Sequence, residues 1–189
     1  MGATVLYMSM SVDGFIAGPN IADDNGLGDG GMRLHEWVFP PEGPVNTQIV
    51  SEFMSTGAVL AGRGTFEPAN GWHGDHHDGV PIWVISRRER PEWTRDMDAV
   101  QYTDDLDAAF HEAKAAAGDK NVLVHGASTA QRAIVAGVLD ELEIHLVPVL
   151  LGGGRLLFEH LGVGQRQLER MRVLEGEGGV THLRYRILR

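Results

Sequence analysis

Short apolar runs alternate along the chain with stretches whose apolar positions recur every three or four residues. Residues 3–12 (ATVLYMSMSV), 58–62 (AVLAG), 80–86 (VPIWVIS), 98–103, 121–126 (NVLVHG) and 141–151 (ELEIHLVPVLL) have the length and β-branched content of buried strands. Between them lie helical patterns. In 46–57, Ile49, Val50, Phe53 and Met54 share one face, and in 104–118 Leu106, Ala109, Phe110, Ala113 and Ala117 form a continuous stripe ended by Gly118. Residues 128–139 read as a third helix. Near the C-terminus, Thr181, Leu183, Tyr185 and Ile187 alternate with His182, Arg184 and Arg186, as a half-solvated antiparallel strand requires, and LERMRVLEG before it supplies the partner. Strand–helix alternation closed by an antiparallel pair predicts a single α/β domain over residues 1–189. Only 18–45 breaks the pattern. It is rich in Gly and Pro without periodicity, and a loop of that length is usually functional or mobile.

Composition narrows what such a domain can do. The 189 residues carry 16 Lys and Arg against 26 Asp and Glu, a net charge of −10, which argues against a nucleic-acid partner. A small anionic ligand is still allowed, because a few local arginines outweigh the global sign. There is no cysteine, so thiol nucleophiles, disulfides and cysteine-held metal centres are excluded. The start MGATVLYMSM has no basic region or cleavage signature, and no apolar run approaches the roughly 20 residues of a membrane helix. A cytoplasmic protein with no membrane partner is the expectation.

In open α/β sheets, ligands gather at the carboxyl ends of strands, and phosphate needs free backbone N–H groups at a helix start approached through small residues. Three turns meet that description. VLVHGASTAQ places Gly126 and Ala127 between a strand and a helix, and Ser128 and Gln131 have capping-box spacing. AVLAGRGTFE places Gly62, Arg63 and Gly64 between a strand and Thr65, which can open a helix. WVISRR ends a strand with Ser86, Arg87 and Arg88, a hydroxyl and two guanidiniums suited to a ribose phosphate. Each also suits an ordinary turn. LLGGGRLLF, the most glycine-rich stretch, meets the test less well, because no capped helix follows it.

Taken in order, MSVDGFIAG (10–18), GAVLAGRGTFE (57–67), PIWVISRR (81–88) and VLVHGASTAQRAIVAGVLDELEIHLVPVLLGGGRLLF (122–158) resemble the dihydrofolate reductase-like superfamily. The likeness is greatest to the branch of the C-terminal reductase domain of the bifunctional riboflavin-biosynthesis protein RibD, and it spans nearly the whole chain. It implies a three-layer α/β fold with a central mixed, mostly parallel sheet flanked by helices, NADPH as cofactor, a small planar heterocycle as substrate and a homodimer. Residues 62–65 and Gly126, Ala127, Ser128 and Thr129 would hold the pyrophosphate. Ser86 and Arg87, with Arg63, would meet the 2′-phosphate, and Ile16 and Ala17 would lie by the nicotinamide. A pyrimidine of riboflavin biosynthesis is the substrate it suggests. The alternatives are a pterin or dihydrofolate, or a nucleotide-binding protein of this fold without turnover. Dihydrofolate reductases carry an acid on the helix before the GR-x-T motif; counting back from Gly62 puts Asn46 there, a poor proton source.

Asp13, where the first strand leaves the sheet, is the candidate for a polar catalytic role, and Trp37 and Trp72 are candidates for stacking on a flat substrate. GWHGDHHDG (71–79) holds metal-ligand residue types, but adjacent His76 and His77 in a glycine-rich stretch read as a mobile surface loop, so no metal is expected. His125 reads as a structural histidine.

Overall fold

A computed structural model describes residues 2–22, 24–159, 161–162 and 164–188. Among the described residues, ten strands and four α-helices follow one another as β1 Thr4–Ser11, β2 Phe15–Ala17, α1 Gly43–Met54, β3 Ala58–Gly62, α2 Arg63–Phe66, β4 Ile82–Ile85, β5 Val100–Thr103, α3 Leu106–Ala117, β6 Val122–His125, α4 Ala127–Ala136, β7 Glu141–Val147, β8 Arg155–Leu156, β9 Leu168–Glu175 and β10 Thr181–Ile187. Eight strands form one sheet in the order β5-β4-β3-β6-β1-β7-β10-β9. The first six run parallel, and β10 and β9 are antiparallel. The α/β class and the antiparallel close are those the periodicity predicts, and the mixed, mostly parallel sheet is the one the family resemblance implies.

β3 and β4 are apolar on both faces, as helix-covered parallel strands must be, whereas β7 alternates Glu141, Glu143 and His145 with Leu142, Ile144 and Leu146. Leu6, Met8, Leu60, Val122 and Val124 pack with Phe110, Ala113 and Ala130 of α3 and α4. Val5, Tyr7, Val59, Ile82 and Leu123 face the other side with Phe66, beneath α1 and the loops. α3 starts where Asp105 accepts a hydrogen bond from Ala108 N and stops at Gly118, φ 63°. α1 begins at Gly43, three residues before the helical pattern becomes readable, because Pro44 takes its first turn.

Three differences from the sequence expectation shape the site. The helix after β6 starts at Ala127 with Gly126 (φ 88°) in the cap position, so Ser128 lies inside the helix and caps nothing; Gln131 donates instead to Leu157 O. Residues 15–17 and 155–156 pair as a separate two-stranded ribbon, β2–β8, too short to announce itself by alternation. The 18–45 stretch is folded back over the sheet. Gly18 N donates to Leu27 O, Asn20 and Asn25 hold the Asp29 carboxylate, and Leu34, Trp37 and Val38 join Ile49 and Val147 in a small core of their own.

Candidate active site

A cavity of about 600 Å³ opens on the α1 face of the sheet, above β1, β6 and β7. Its floor is Tyr7, Ser9, His125 and His145, and the folded 18–45 segment forms much of the wall, with Trp37, Met32 and Phe39 among its contributors. Ile16 and Ala17 of the ribbon line it, as do Thr65 and Trp72. Aromatic walls around a few fixed polar groups are what a site for a flat ligand needs.

The two glycine turns meet at one end of this cavity, because β3 and β6 are parallel neighbours. They close on each other reciprocally. A Cβ on Gly62 would lie 3.0 Å from Thr129 Oγ1, and a Cβ on Gly126 would land on Thr65 Oγ1. No side chain caps α4, so the N–H groups of its first turn point outward unclaimed by a cap; Gly126 N itself is turned to the Met8 sulfur. β4 is the next strand along. Ser86 and Arg87 sit at its end beside a shallow groove that continues to Tyr102–Asp104, with Arg87 exposed.

Arg63 is committed elsewhere, a correction to its reading as a free phosphate fork. Its Nε lies 2.7 Å from Glu67 Oε1 and its Nη1 donates to Glu89 O, which ties α2 to the loop after β4. The arginine that does reach the paired turns is one the sequence test passed over. Through the ribbon, Arg155 of the triple-glycine stretch lines the cavity, and its Nη1 occupies the space a Cβ on Gly64 would need, 3.0 Å away. No ion pair engages it among the described residues.

Asp13 is also outside the cavity. Its carboxylate accepts from Ser11 Oγ (2.6 Å), Gly152 N (2.8 Å) and Leu151 N (3.1 Å), and the Ser11 hydroxyl, with those N–H groups, holds it below the ordinary carboxylate range. It clasps the turn into the triple glycine rather than facing a ligand. Asn46 is buried behind the cavity wall. Its N and Nδ2 bond Glu177, and its Oδ1 meets His182 Nε2 at 3.0 Å.

That last contact belongs to a relay the sequence did not reveal. His182 Nδ1 lies 2.9 Å from His145 Nδ1, and His145 is in the cavity floor. The two are register partners on β10 and β7. Burial holds His145 well below the ordinary imidazole value and lowers His182 to about 4, with Arg172 adding to the effect. Arg172 makes a two-pronged bond to Glu52 of α1 (2.8 and 2.7 Å) and reaches the fully buried Glu143 at 3.0 Å. That cluster fastens α1 to the antiparallel strands.

The 71–79 segment carries a second relay and is anchored, not a mobile surface loop. His77 is buried, its Nε2 meeting Thr56 O (3.1 Å) and Thr56 Oγ1 (3.2 Å). Its Nδ1 meets His76 Nδ1 at 2.7 Å, His76 Nε2 meets His125 Nε2 at 3.2 Å, and His125 Nδ1 meets Tyr7 O at 3.1 Å. Both end carbonyls only accept, so filling every contact takes four ring hydrogens, whereas three neutral imidazoles carry three. Burial opposes a fourth, pushing His76 down to about 2 and His125 to about 4. His125 and His76 both line the cavity, so His125 is part of the site and not only of the core.

The family model for the RibD C-terminal domain matches residues 4–181. The chain belongs to the RibD C-terminal domain family. Solved structures agree in fold. A putative riboflavin biosynthesis protein from Shewanella sp. PV-4 superposes with a TM-score of 0.72 at 23% identity, over 99% of each chain. RibD of Acinetobacter baumannii gives 0.63 at 15% identity; all of this chain is covered but only 59% of RibD. Dihydrofolate reductase of Enterococcus faecalis, complexed with NADP(H) and RAB-propyl, gives 0.60 at 16% identity, over 100% of this chain and 98% of that one. The fold is therefore that of dihydrofolate reductase. No curated protein matches the sequence significantly. Among the described residues, no helix is long and apolar enough to cross a membrane.

Proposed function

We propose that this member of the RibD C-terminal domain family is an NADPH-dependent reductase of a small planar heterocycle, with a pyrimidine of riboflavin biosynthesis as the specific substrate class, acting as a cytoplasmic homodimer. The observation that carries the reading is the convergence of two glycine turns and an uncapped helix start on the end of an aromatic-walled cavity. The residues fit the cofactor. The first turn of α4 (Ala127, Ser128 and Thr129) offers N–H donors to a pyrophosphate, and the adjoining Gly62–Thr65 turn has no side chain to obstruct it. Arg155 adds a cation there. Ser86 and exposed Arg87 would meet a 2′-phosphate, with Arg63 bracing their loop through Glu67 and Glu89. Ile16 and Ala17 would form the apolar seat of the nicotinamide.

When bound, NADPH supplies the hydride. The protein's own part is to hold the acceptor ring flat. Trp37 and Trp72 give it aromatic faces, and the folded 18–45 segment keeps water from it. Asp13 is a positioning residue, fixing the Leu151–Gly152 turn from which the ribbon and Arg155 depart. A pterin reading finds no support at Asn46, which sits two rings behind the cavity. Thermal denaturation with each cofactor tests the proposal. NADPH should raise the melting temperature more than NADH, and Arg87→Ala should remove that preference, since one charge-assisted phosphate contact is worth about 1.5–3 kcal/mol. No shift with either cofactor would overturn it.

A further inference from the structure

The hydrogen-bond directions along the Asn46 relay are fully determined by groups that can act in only one sense. Glu177 O only accepts, so the side of Asn46 that meets it at 3.1 Å is the Nδ2 amide, and Oδ1 faces the other way. Oδ1 only accepts, so His182 Nε2 carries a hydrogen. A neutral ring has one N–H, which leaves His182 Nδ1 bare and requires His145 Nδ1 to donate to it. His145 Nε2 is then bare, on a ring that lines the cavity. Among the described residues no protein group donates to it.

Ser9 is its neighbour. The two are register partners on β1 and β7, so their side chains stand on the same face of adjacent strands, about 5 Å apart at the backbone. Trp37 Nε1 only donates, and it donates to Ser9 Oγ at 3.0 Å. That contact uses a lone pair of the hydroxyl and leaves its hydrogen free. The cavity floor thus sets a hydroxyl donor beside an imidazole acceptor, with the Trp37 ring packed 4.5 Å from the His145 ring between centroids.

A donor next to an acceptor on one floor complements a carbonyl next to an N–H on one edge of a flat ring. We propose that Ser9 and His145 read the lactam edge of the substrate, Ser9 donating to the ring carbonyl oxygen and His145 Nε2 accepting from the adjacent ring N–H. Asn46 and His182 are positioning residues that fix the His145 tautomer from behind. This inference rests on the reading of the cavity as the substrate site and narrows that substrate to cyclic amides with a free N–H.

Two measurements on the full chain test it. Nitrogen-15 NMR of labelled protein reads the tautomers directly. His145 should be protonated at Nδ1 and bare at Nε2, and His182 the reverse; His145 protonated at Nε2 overturns the proposal. In the second, pteridine-2,4-dione and its 1,3-dimethyl derivative are titrated onto the protein without cofactor, following the probe's fluorescence. Dimethylation, which removes both ring N–H groups, should weaken binding at least tenfold, and Ser9→Ala should weaken the parent compound by a similar factor. Equal binding of the two compounds, or no binding of either at millimolar concentration, overturns it. The outcome also separates this claim from the reductase reading. A lactam preference without NADPH oxidation on any lactam defeats the reductase and leaves the recognition. Turnover that is indifferent to methylation and to Ser9→Ala defeats the recognition and leaves the reductase.

Discussion

At the scale of single residues, the site depends on two glycines whose missing side chains make room for threonines. Gly126 adopts φ 88° and Thr65 Oγ1 fills the place of its Cβ. Gly126→Ala therefore meets a left-handed backbone penalty of about 1–2 kcal/mol as well as a collision with the neighbouring turn. We expect its melting temperature to fall by at least about 4 °C, with loss of any NADPH-induced stabilisation; calorimetry with and without cofactor checks both, and an unchanged melting temperature would refute the reciprocal packing. The position of Gly126 between a strand and a helix was legible in the sequence, because small residues at such a junction have few other uses. Its partner was not, since Thr65 is 61 positions away and is brought there only by sheet order. Ser128 misled for a related reason. Capping-box spacing is a local signal, and a glycine with positive φ starts this helix one residue earlier. The sequence marks the Asp13 carboxylate and the Arg63 guanidinium as strand-end polar groups, but their partners, the Leu151–Gly152 N–H groups and Glu89 O, are brought to them only by the fold.

Elements are joined across the site by the two histidine relays, one tying β10, β7 and α1 together and the other tying the 71–79 segment to β6 and the end of α1. Their burial makes stability depend on pH. His76, His125, His145 and His182 all titrate below the unfolded value of 6.5, so below that pH the unfolded chain binds protons that the folded one refuses. Their contribution is fully present above about pH 6.5 and is lost as pH falls through the folded values, at up to about 1.4 kcal/mol per pH unit for each ring. Glu143, raised by burial, acts in the opposite sense and offsets part of the loss. Asp13, Glu52, Asp140 and Glu177, all lowered, add a further loss only at more acid pH. Urea melts between pH 8 and 5 should show unfolding accompanied by uptake of two or more protons in the lower half of that range, and a flat profile would mean the relays are not buried as described. In the sequence, the His76–His77 pair read as loop because glycines surround it. Nothing local shows that His125, 49 positions beyond His76, waits at a strand end to receive it.

For the molecule as a whole, strand–helix alternation predicts the α/β class and the antiparallel close, and the family resemblance supplies the mostly parallel sheet between them. The short runs of β3 and β4 are apolar on both faces, and that leaves few other folds. The cavity was not readable in the same way. Its floor comes from β1, β6 and β7, neighbours in space but not in sequence, and much of its wall from a segment without periodicity. The triple glycine stands between these cases. It is not at the paired glycine turns, yet the ribbon it leads into carries Arg155 to them. The central claim is that a nicotinamide dinucleotide phosphate lies across the carboxyl ends of β4, β3 and β6 with its nicotinamide in the aromatic cavity. The most direct test is a crystal structure of the protein with NADP⁺ bound. Pyrophosphate is expected at the first turn of α4 and the Gly62–Thr65 turn, 2′-phosphate at Ser86 and Arg87, and nicotinamide beside Ile16 and Ala17; pyrophosphate on Gly152–Gly154 with none at Gly126–Thr129 would refute this placement.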